Sequence, residues 1–426
     1  MHDRNRLRND PEAIKLGSRN KGVDSDAAID EWARLDQSWR GALQEAEVKQ
    51  AEANKLAKEI GALMGQGKKD EAQEAMARSK ELKAELPALE DRAKEYEEQM
   101  RFIEQRIPNC PDADVPVGMS EEENKVVRDW GDRPDHESEA HWDIALRLGM
   151  LDFERASKIS GSGLALYIGW GARLQRALFN FMIDHHTLNG GYQEVYPPVI
   201  VNSASLFGTG NLPKFEEDLF KVDEDRYLIP TAEVPVTNIY RDEILSLDQL
   251  PIKMAAFSGC FRKEAGAAGK DTRGIQRMNQ FDKVELVKLT APEQSDAEHE
   301  ALTSDACGIL QMLGLHHRVT MLCTGEMSFS NAKCYDLEIW SPGMQKYLEV
   351  SSCSNFRDFQ SRRANLKFRR AQGEKPEFVH TLNGSGLACP RLFVTLLETY
   401  YEKGRGMAIP EPLRPYVGTD LIAETS

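Results

Sequence analysis

The chain has 426 residues, of which 41% are hydrophobic and 29% charged, and a formal net charge of −15. This length allows one large core and an accessory domain, and the acidic balance excludes a uniformly basic nucleic-acid-binding protein, so RNA contacts would need local basic patches. The cysteines form no C-x-x-C pair, which indicates a reducing, cytoplasmic location and excludes a disulfide framework or a thiolate zinc site. They stand at Cys110, Cys260, Cys307, Cys323, Cys334, Cys353 and Cys389.

The sequence indicates neither a secretory signal peptide nor a membrane-spanning helix. The N-terminus is charged throughout and does not have the pattern of a signal peptide. The most apolar helix-like run, residues 164–183, carries Arg173 and Arg176, so no membrane-spanning segment is expected.

Two long helices are predicted between about residues 28 and 107. Apolar residues recur at alternating spacings of three and four, which is typical of a coiled coil. Gly65–Asp70 breaks the pattern, so the two helices are expected to fold back antiparallel into an arm about 50 Å long. Lys49 is the one break in the first seam, Ser79 is the polar member of the second, and Pro87 is expected to kink the second helix. The seams comprise Trp32, Leu35, Trp39, Ala42, Ala46, Ala53, Leu56, Ile60 and Leu63, and Ala72, Ala75, Leu82, Leu86, Leu89, Ala93, Tyr96, Met100, Ile103 and Ile107.

The outer half of this arm is rich in basic residues. One interpretation is a solvated coiled-coil flank, and the other is a surface that follows a phosphate backbone. The sequence leaves both open. The basic residues are Lys49, Lys55, Lys58, Lys68, Lys69, Arg78, Lys80 and Lys83.

A long helix through Leu174 and Met182 is predicted to end at Asn189-Gly190-Gly191 and to lead into a strand before Pro197. An ordinary helix–strand crossover would give the same pattern. Further on, Thr231-Ala232-Glu233 follows a short apolar strand. In an extended segment Thr231 and Glu233 would share a face and could bind a small amino acid, whereas a helix cap is the alternative.

Two antiparallel strands are predicted within residues 257–289, joined by a mobile basic loop that contains Gly266, Gly269, Gly274, Lys270, Arg273 and Arg277. Arg262 and Glu264 alternate on the first strand, as do Phe281, Lys283 and Glu285 on the second. A guanidinium can clamp a phosphate or carboxylate, and an aromatic face can stack on a purine. A surface hairpin with cross-strand ion pairs is the alternative.

Two further strands, residues 334–340 and 346–352, are predicted around a turn at Ser341-Pro342-Gly343. Glu349 and Ser352 near the end of the second strand could hold Mg²⁺ on ATP phosphates, since hard cations take oxygen ligands. A surface β-edge is the alternative. A Gly-rich turn then precedes an apolar helix with Arg391 in its first turn, where a phosphate could bind.

The order of these segments resembles class II aminoacyl-tRNA synthetases, and in particular the seryl-tRNA synthetases of bacterial type. The resemblance depends chiefly on motif 2 (about 257–289), which is carried by FRKEAG…GKDTRGIQRMNQFDKVEL. Residues of about 170–200 are similar to motif 1, and the segment that begins TLNGSGLACPR is similar to motif 3 (about 383–400). The resemblance implies an α+β fold: an N-terminal antiparallel coiled-coil arm, followed by a catalytic domain on a mixed, mainly antiparallel sheet flanked by helices. It implies a tRNA-binding domain at residues 1–108 and a catalytic domain at 109–426.

The resemblance also implies an activity. A serine–tRNA ligase would form seryl-adenylate from L-serine and ATP with Mg²⁺ and charge tRNA(Ser) as a homodimer without a membrane. Charging of tRNA(Sec) as well is an alternative that the resemblance leaves open. The catalytic residues would be Arg262, Glu264 and Arg391. Serine would be bound by Thr231, Ala232, Glu233, Glu285 and Ser385. ATP would be bound by Arg262, Lys263, Glu264, Phe281, Glu349, Val350, Ser351, Ser352 and Arg391, with Glu349 and Ser352 also holding Mg²⁺.

The sequence departs from the family pattern at a few positions. Asn279 stands where many relatives carry histidine, Cys334 where threonine is common, and Leu348 where arginine is common, and Ala388-Cys389-Pro390 replaces a more usual A-V-G. None of these changes removes a residue with an assigned role. Two rival functions are a ligase that loads a carrier protein, which would not need the arm, and a non-catalytic coiled-coil paralogue, in which broken motif residues are expected.

Overall fold

The computed structural model describes residues 1–264 and 274–424. It divides into two compact units, one of residues 2–19 and 23–107, the other of residues 1, 20–22 and 108 onward. The predicted basic loop between the motif 2 strands, with Gly266, Gly269, Lys270 and Arg273, lies outside the described residues. Across the described ranges, none of the helices combines the length and hydrophobicity that crossing a bilayer requires.

The N-terminal unit is helical. Its two long helices pair antiparallel, since Trp32 donates to Glu104 at 2.9 Å and Lys49 binds Glu85 at 2.6 Å. The predicted seams are buried or half-buried along their whole length, and the second helix runs through Pro87 without interruption. Lys49 interrupts the apolar pattern because it pairs across the seam. The helices are α1 (Arg4–Asn9), α2 (Pro11–Asn20), α3 (Asp26–Gly65) and α4 (Lys69–Glu104).

The second unit is built on an eight-stranded sheet with strand order β1-β10-β11-β12-β15-β9-β8-β4, antiparallel except for the β4–β8 pair. Its strands are β1 (Lys125–Trp130), β2 (Leu151–Asp152), β3 (Leu166–Tyr167), β4 (Gln193–Val195), β5 (Ile200–Asn202), β6 (Arg226–Leu228), β7 (Ile244–Ser246), β8 (Ile252–Phe261), β9 (Gln280–Thr290), β10 (His317–Met321), β11 (Lys333–Ser341), β12 (Lys346–Arg357), β13 (Lys367–Arg369), β14 (Glu377–Phe378), β15 (His380–Ala388), β16 (Tyr401–Glu402), β17 (Gly406–Ala408) and β18 (Leu421–Ala423).

Helices flank this sheet and pack apolar side chains against it to form the core. The helix from Ser295 packs on β12 and β15 so closely that a Cβ on Gly384 would lie 2.5 Å from Leu302 Cδ2. The helices are α5 (His141–Arg147), α6 (Phe153–Ser160), α7 (Gly169–Asp184), α8 (Ser203–Thr209), α9 (Glu233–Thr237), α10 (Ser295–Met312), α11 (Phe359–Ala364), α12 (Cys389–Tyr400) and α13 (Arg414–Val417). Single turns of 3₁₀-helix lie at Glu121–Glu123, Glu216–Asp218, Leu247–Gln249, Pro292–Gln294 and Glu411–Leu413, and a π-turn at His185–Asn189.

The predicted fold class is confirmed, and β9 is a strand as predicted, although it is buried on both faces from Lys283 to Thr290 rather than half-buried. The seven cysteines are free and buried. Three local predictions are wrong. Arg262 and Glu264 do not share a strand face, because β8 ends at Phe261 and Glu264 has a φ of +52°. The segment before Arg391 is strand β15 rather than a Gly-rich turn.

The third correction concerns β12. This strand continues to Arg357 and pairs with both β11 and β15, so it is an inner strand and the surface-edge alternative is wrong. Glu349 and Ser352 therefore lie in the middle of the strand rather than near its end. The predicted turn at Ser341-Pro342-Gly343 does separate β11 from β12.

Candidate active site

A cavity of about 1440 Å³ opens over the middle strands of the large sheet, and it collects most of the predicted site residues. Its walls include residues of the β6–α9 junction, the segment after β8, strands β9, β11 and β12, and the β15–α12 junction. The predicted residues on these walls are Thr231, Glu233, Arg262, Glu264, Phe281, Glu285, Glu349, Val350, Ser352, Ser385 and Arg391.

Three predicted site residues lie away from the cavity walls that the described residues form. Ala232 is fully buried in a hydrophobic cluster with Val236 and Met254. Lys263 is exposed to solvent. Ser351 points to the other side of β12, where its hydroxyl donates to the carbonyl of Ser385 at 2.7 Å. Their side chains are therefore not placed to touch a ligand in the cavity.

One end of the cavity holds a buried polar cluster around Glu285, which is 1% exposed. Thr231 Oγ1 donates to Glu285 Oε2 at 2.9 Å, and Lys283 forms an ion pair with the same carboxylate oxygen. β9 places Lys283 and Glu285 on one face because they are two residues apart on a strand. The cluster combines a hydroxyl, a carboxylate and an ammonium group, which suits a small zwitterionic ligand.

Glu233 is the second carboxylate at this end. It begins α9, and its backbone N–H donates to Thr231 Oγ1 at 3.2 Å, so the Thr231-Ala232-Glu233 segment is a helix start and not an extended strand. The helix-cap alternative is correct for its backbone, yet both side chains still reach the cavity. Gln360 Nε2 donates to Glu233 Oε1 at 2.6 Å and orients the carboxylate. Burial, followed by the negative charge of Glu285, raises the pKa of Glu233 to about 7.

The central wall is formed by Arg262 and Phe281. The Arg262 guanidinium carbon lies 5.1 Å from the centre of the Phe281 ring, and Arg262 Nε donates to the carbonyl of Pro230 at 3.2 Å. Asn279 supports the backbone of this segment, because its side-chain amide donates to the carbonyls of Arg262 and Lys263 at 3.0 and 3.1 Å. Arginine and phenylalanine are thus fixed side by side, in an arrangement that can face an anion and a flat ring.

Asn279 also explains a close contact with the preceding part of the chain. A Cβ on Gly163 would lie 2.2 Å from Asn279 Oδ1, and the backbone N–H of Asn279 donates to the Gly163 carbonyl at 2.9 Å. The asparagine at this position therefore supports the backbone of the site. On the same wall, Arg277 Nη1 lies 3.3 Å from Glu264 Oε2.

The other end of the cavity pairs Arg391 with Glu349. Arg391 Nη1 donates to the carbonyl of Glu349 and lies 3.4 Å from its carboxylate, while Ser352 Oγ donates to Glu349 Oε1 at 3.2 Å. Burial works to raise the pKa of Glu349, but the charges of Arg391 and Arg262 and the hydrogen bonds from Ser352 and Arg391 together outweigh it, so the pKa is lowered. Arg391 lies in the first turn of α12, with Pro390 next to it as predicted.

Asp336 is a site residue that sequence reasoning missed. β11 places it directly opposite Ser352, and burial together with the charge of Glu349 raises its pKa. The predicted turn at Ser341–Gly343 could not reveal this pairing, because a β-bulge between Leu337 and Glu338 shifts the register of β11 against β12 by one residue. Other cavity residues that the sequence analysis did not single out are Asn383, Glu338 and Arg318.

The carboxylates around Ser352 fit a hard cation. Asp336 and Glu349 offer oxygen ligands to such a cation. Burial and the charge of Glu349 raise the pKa of Asp336, and a divalent ion would neutralise the negative charge of both groups. Within residues 1–264 and 274–424, however, no three His, Cys, Asp or Glu side chains form a group that could hold a metal unaided. The protein residues fit a cation whose other ligands come from a bound molecule.

Comparisons with known proteins identify the family of the chain. Residues 1–111 match the family described as seryl-tRNA synthetase N-terminal domain, and residues 214–400 match tRNA synthetase class II core domain (G, H, P, S and T). The chain is 50% identical to the serine–tRNA ligase of Thermodesulfovibrio yellowstonii over 98% of each chain. It is 56% identical to that of a Geobacillus species, over 78% of this chain and 79% of that one.

Solved structures give the same result. The seryl-tRNA synthetase of Pyrococcus horikoshii, complexed with ATP, is 36% identical, covers both chains fully and superposes with a TM-score of 0.94. The cytoplasmic serine–tRNA ligase of Naegleria fowleri, in complex with AMP, is 29% identical over 100% of this chain and 99% of that one, with a TM-score of 0.88. The chain therefore belongs to the seryl-tRNA synthetase family of class II aminoacyl-tRNA synthetases.

Proposed function

We propose that this protein is an ATP-dependent serine–tRNA ligase that joins L-serine to ATP as seryl-adenylate and then transfers serine to the 3′ end of tRNA(Ser). The observation that carries the proposal is the Thr231–Glu285 hydrogen bond with Glu233 beside it, in the same cavity as Arg262 and Arg391. Curated relatives named serine–tRNA ligase match the chain over almost its whole length, and a related structure is complexed with ATP.

Serine would bind at the end of the cavity that contains Glu285. Its ammonium group would pair with Glu233, and its hydroxyl would hydrogen-bond to Glu285 or Thr231, with Ser385 completing the wall. Alanine would leave these buried polar groups without a partner, and a site built to bind a hydroxyl rejects such an analogue strongly. The ion pair with Lys283 and the hydrogen bond from Thr231 hold the Glu285 carboxylate in place.

ATP would fill the remainder of the cavity. Phe281 would stack on the adenine, Glu264 would accept hydrogen bonds from the edge of the base, and Arg391 would bind the terminal phosphate. Arg262 would hold the α-phosphate and the serine carboxylate together. Because Arg262 is tethered to the Pro230 carbonyl, it enters the reaction already oriented, which lowers the entropic cost of bringing two anions together.

Catalysis would depend on positioning and charge. A serine carboxylate oxygen attacks the α-phosphorus, the bond from that phosphorus to the bridging oxygen breaks, and pyrophosphate leaves. A ribose hydroxyl of the tRNA then attacks the serine carbonyl and AMP leaves. No protein nucleophile is needed, and Arg262 would stabilise the charge that develops on the phosphate in the transition state.

Mg²⁺ is the cation that the residues around Ser352 fit. Glu349 and Ser352 would hold it, with Asp336 across the hairpin as a further oxygen donor. A magnesium ion bound there would neutralise charge on the ATP phosphates.

Residues 1–108 would form the tRNA-binding domain and residues 109–426 the catalytic domain. On the outer half of the arm, five lysines are exposed and have no carboxylate within salt-bridge distance among the described residues, so they are available to phosphates. They are Lys55, Lys58, Lys69, Lys80 and Lys83. We propose that this surface contacts tRNA(Ser).

The motif 1 segment would form a homodimer interface. Among its large apolar side chains, Leu188 is 78% exposed and Tyr196 is 88% exposed, and Trp170 and Ile200 are also exposed. A partner subunit would cover such side chains in a dimer interface. The free, buried cysteines are compatible with the cytoplasm as the location.

The proposal is tested by ATP–pyrophosphate exchange with each amino acid in turn, without tRNA. Exchange with serine alone is expected. Exchange with a different amino acid would overturn the substrate assignment, and no exchange with any amino acid would point to a non-catalytic paralogue. Serine exchange without subsequent tRNA charging would instead favour the carrier-protein ligase.

A further inference from the structure

A buried polar cluster behind the cavity wall has no place in the proposed chemistry. It centres on Glu398, which lies in α12, two turns after Arg391, and is completely buried. Four donors converge on its carboxylate: the backbone N–H and the Nδ1 of His141, the hydroxyl of Ser341 and the backbone N–H of Gly343. Full use of both oxygens indicates that Glu398 organises its neighbours.

His141 extends this cluster to the motif 2 segment. The backbone N–H of Ile275 points at His141 Nε2 with a separation of 3.4 Å between the nitrogens. Because a backbone N–H can only donate, Nε2 must accept, so the proton is on Nδ1 and is donated to Glu398 Oε1 at 3.2 Å. Glu398 thereby fixes the tautomer that allows His141 to hold Ile275.

The contact is close as well as directional. His141 and Ile275 are both completely buried, and a Cβ on Gly274 would lie only 2.1 Å from His141 Nε2. Gly274 also has a φ of +81°, a conformation that suits glycine. Both features let the backbone reach the imidazole.

The Glu398 carboxylate also supports a second contact to the segment that contains Ile275. Through Ser341 and Gly343, Glu398 fixes the turn between β11 and β12, and in that turn Met344 Sδ accepts a hydrogen bond from Gln276 Nε2. Ile275 and Gln276 are thus held from two sides by groups that share Glu398. Both residues line the cavity, as do Arg277 and Met278.

We propose that His141 and Glu398 are positioning residues for adenylate formation, which hold the Ile275–Met278 wall of the ATP end of the cavity. Neither residue lines the cavity itself. Arg277 in this wall contacts Glu264, so a displaced wall would disturb the residues proposed for ATP. Among the described residues, none of the hydrogen bonds or ion pairs of the Glu285 cluster reaches the Glu398 cluster. This inference rests on the proposed function.

Two substitutions of His141 separate the two hydrogen bonds of the imidazole. His141→Asn keeps an amide near the position of Nδ1 but loses the acceptor for Ile275. His141→Gln reaches the position of Nε2 and can accept from Ile275 while losing the Nδ1 donor. Glu398→Gln replaces one acceptor oxygen of the cluster with a donor.

Steady-state ATP–pyrophosphate exchange provides the first readout. For His141→Asn and Glu398→Gln we expect kcat/KM for ATP to fall about tenfold through both a lower kcat and a higher KM for ATP, with the KM for serine within about twofold of wild type. His141→Gln is expected to recover most of that loss. A purely structural role would lower kcat through a smaller active fraction and leave both KM values unchanged.

Amide hydrogen exchange on the intact protein gives a second readout that does not depend on activity. The Ile275 amide is expected to exchange faster in His141→Asn than in wild type or His141→Gln. Equal exchange in all three proteins, or the same KM for ATP in His141→Asn and wild type, would overturn the inference. Absence of serine-dependent ATP–pyrophosphate exchange in the wild-type protein would instead refute the proposed function. The rates of amide hydrogen exchange at Ile275 would still test the contact with His141.

Discussion

Glu285 provides the sharpest test of the serine site. Its carboxylate is 1% exposed, accepts from Thr231 at 2.9 Å and pairs with Lys283, so Glu285→Ala removes one acceptor and leaves a buried ammonium and a buried hydroxyl without their partner. Breaking a buried ion pair typically lowers the free energy of unfolding by about 3–5 kcal/mol. A lost hydrogen bond between a charged group and the substrate costs about 1.5–3 kcal/mol more in the transition state.

We therefore expect Glu285→Ala to lower kcat/KM for serine by a factor of roughly ten to one hundred and fifty in the folded protein, with a further loss of serine-dependent exchange where the lower stability unfolds part of the sample. The assay is ATP–pyrophosphate exchange, with urea unfolding on the same sample. The matched control is a Lys283→Met/Glu285→Met double variant, which removes both charges and is expected to regain stability without regaining activity. Near-normal exchange by Glu285→Ala would remove Glu285 from the site.

Three further predictions concern the other parts of the molecule. Burial and the charge of Glu285 raise the pKa of Glu233 to about 7, so its carboxylate becomes charged as the pH rises through that value. The KM for serine should therefore fall between about pH 6 and about pH 8. The Glu233→Gln variant should lose this pH dependence. The same shift should make the ligand-free protein lose stability as the pH rises from the unfolded value of 4.5 towards 7, as urea unfolding would show. Arg391→Lys, which keeps the charge but not the planar fork, should lower kcat/KM for ATP by roughly thirtyfold in the exchange assay while leaving the KM for serine unchanged; an equal rise in both KM values would contradict its assignment to ATP. Replacing the exposed arm lysines by glutamine should leave exchange intact and weaken tRNA charging with a shallower salt dependence, whereas unchanged charging would exclude this surface; the substitutions are at Lys55, Lys58, Lys69, Lys80 and Lys83.

The sequence predicted periodic elements well. The seams of α3 and α4 follow a spacing that only one pairing of two helices can bury, and Gly65–Asp70 marks the reversal. β9 was predicted from its alternation, which also correctly grouped Phe281, Lys283 and Glu285 on the cavity face. In both cases a repeating pattern of side chains carries the geometry.

Local backbone geometry was harder to predict from the sequence. The glycines before Arg391 resemble a turn, but they lie in strand β15, where Gly384 leaves room for Leu302, which a Cβ would displace. Thr231-Ala232-Glu233 forms a helix start, since Thr231 accepts from the Glu233 backbone. Such contacts come from residues distant in the chain, which a single segment does not reveal.

The site residues that sequence reasoning missed share a physical cause. Asp336 acts through the register of β11 against β12, and Gln360 reaches Glu233 from a helix more than one hundred residues away in the chain. His141 and Glu398 lie behind the cavity wall and touch no ligand position. Buried groups that position others leave little local signal, because their role is defined by their partners.

The central claim is most directly tested by charging bulk tRNA with the purified protein in a mixture of all the proteinogenic amino acids, followed by identification of the amino acid esterified to the tRNA. We predict that serine alone is attached, that it is found on tRNA(Ser), and that the reaction requires ATP and Mg²⁺ and stops when Mg²⁺ is chelated. Attachment of a different amino acid, or no attachment by a protein that is folded and binds ATP, would contradict the account.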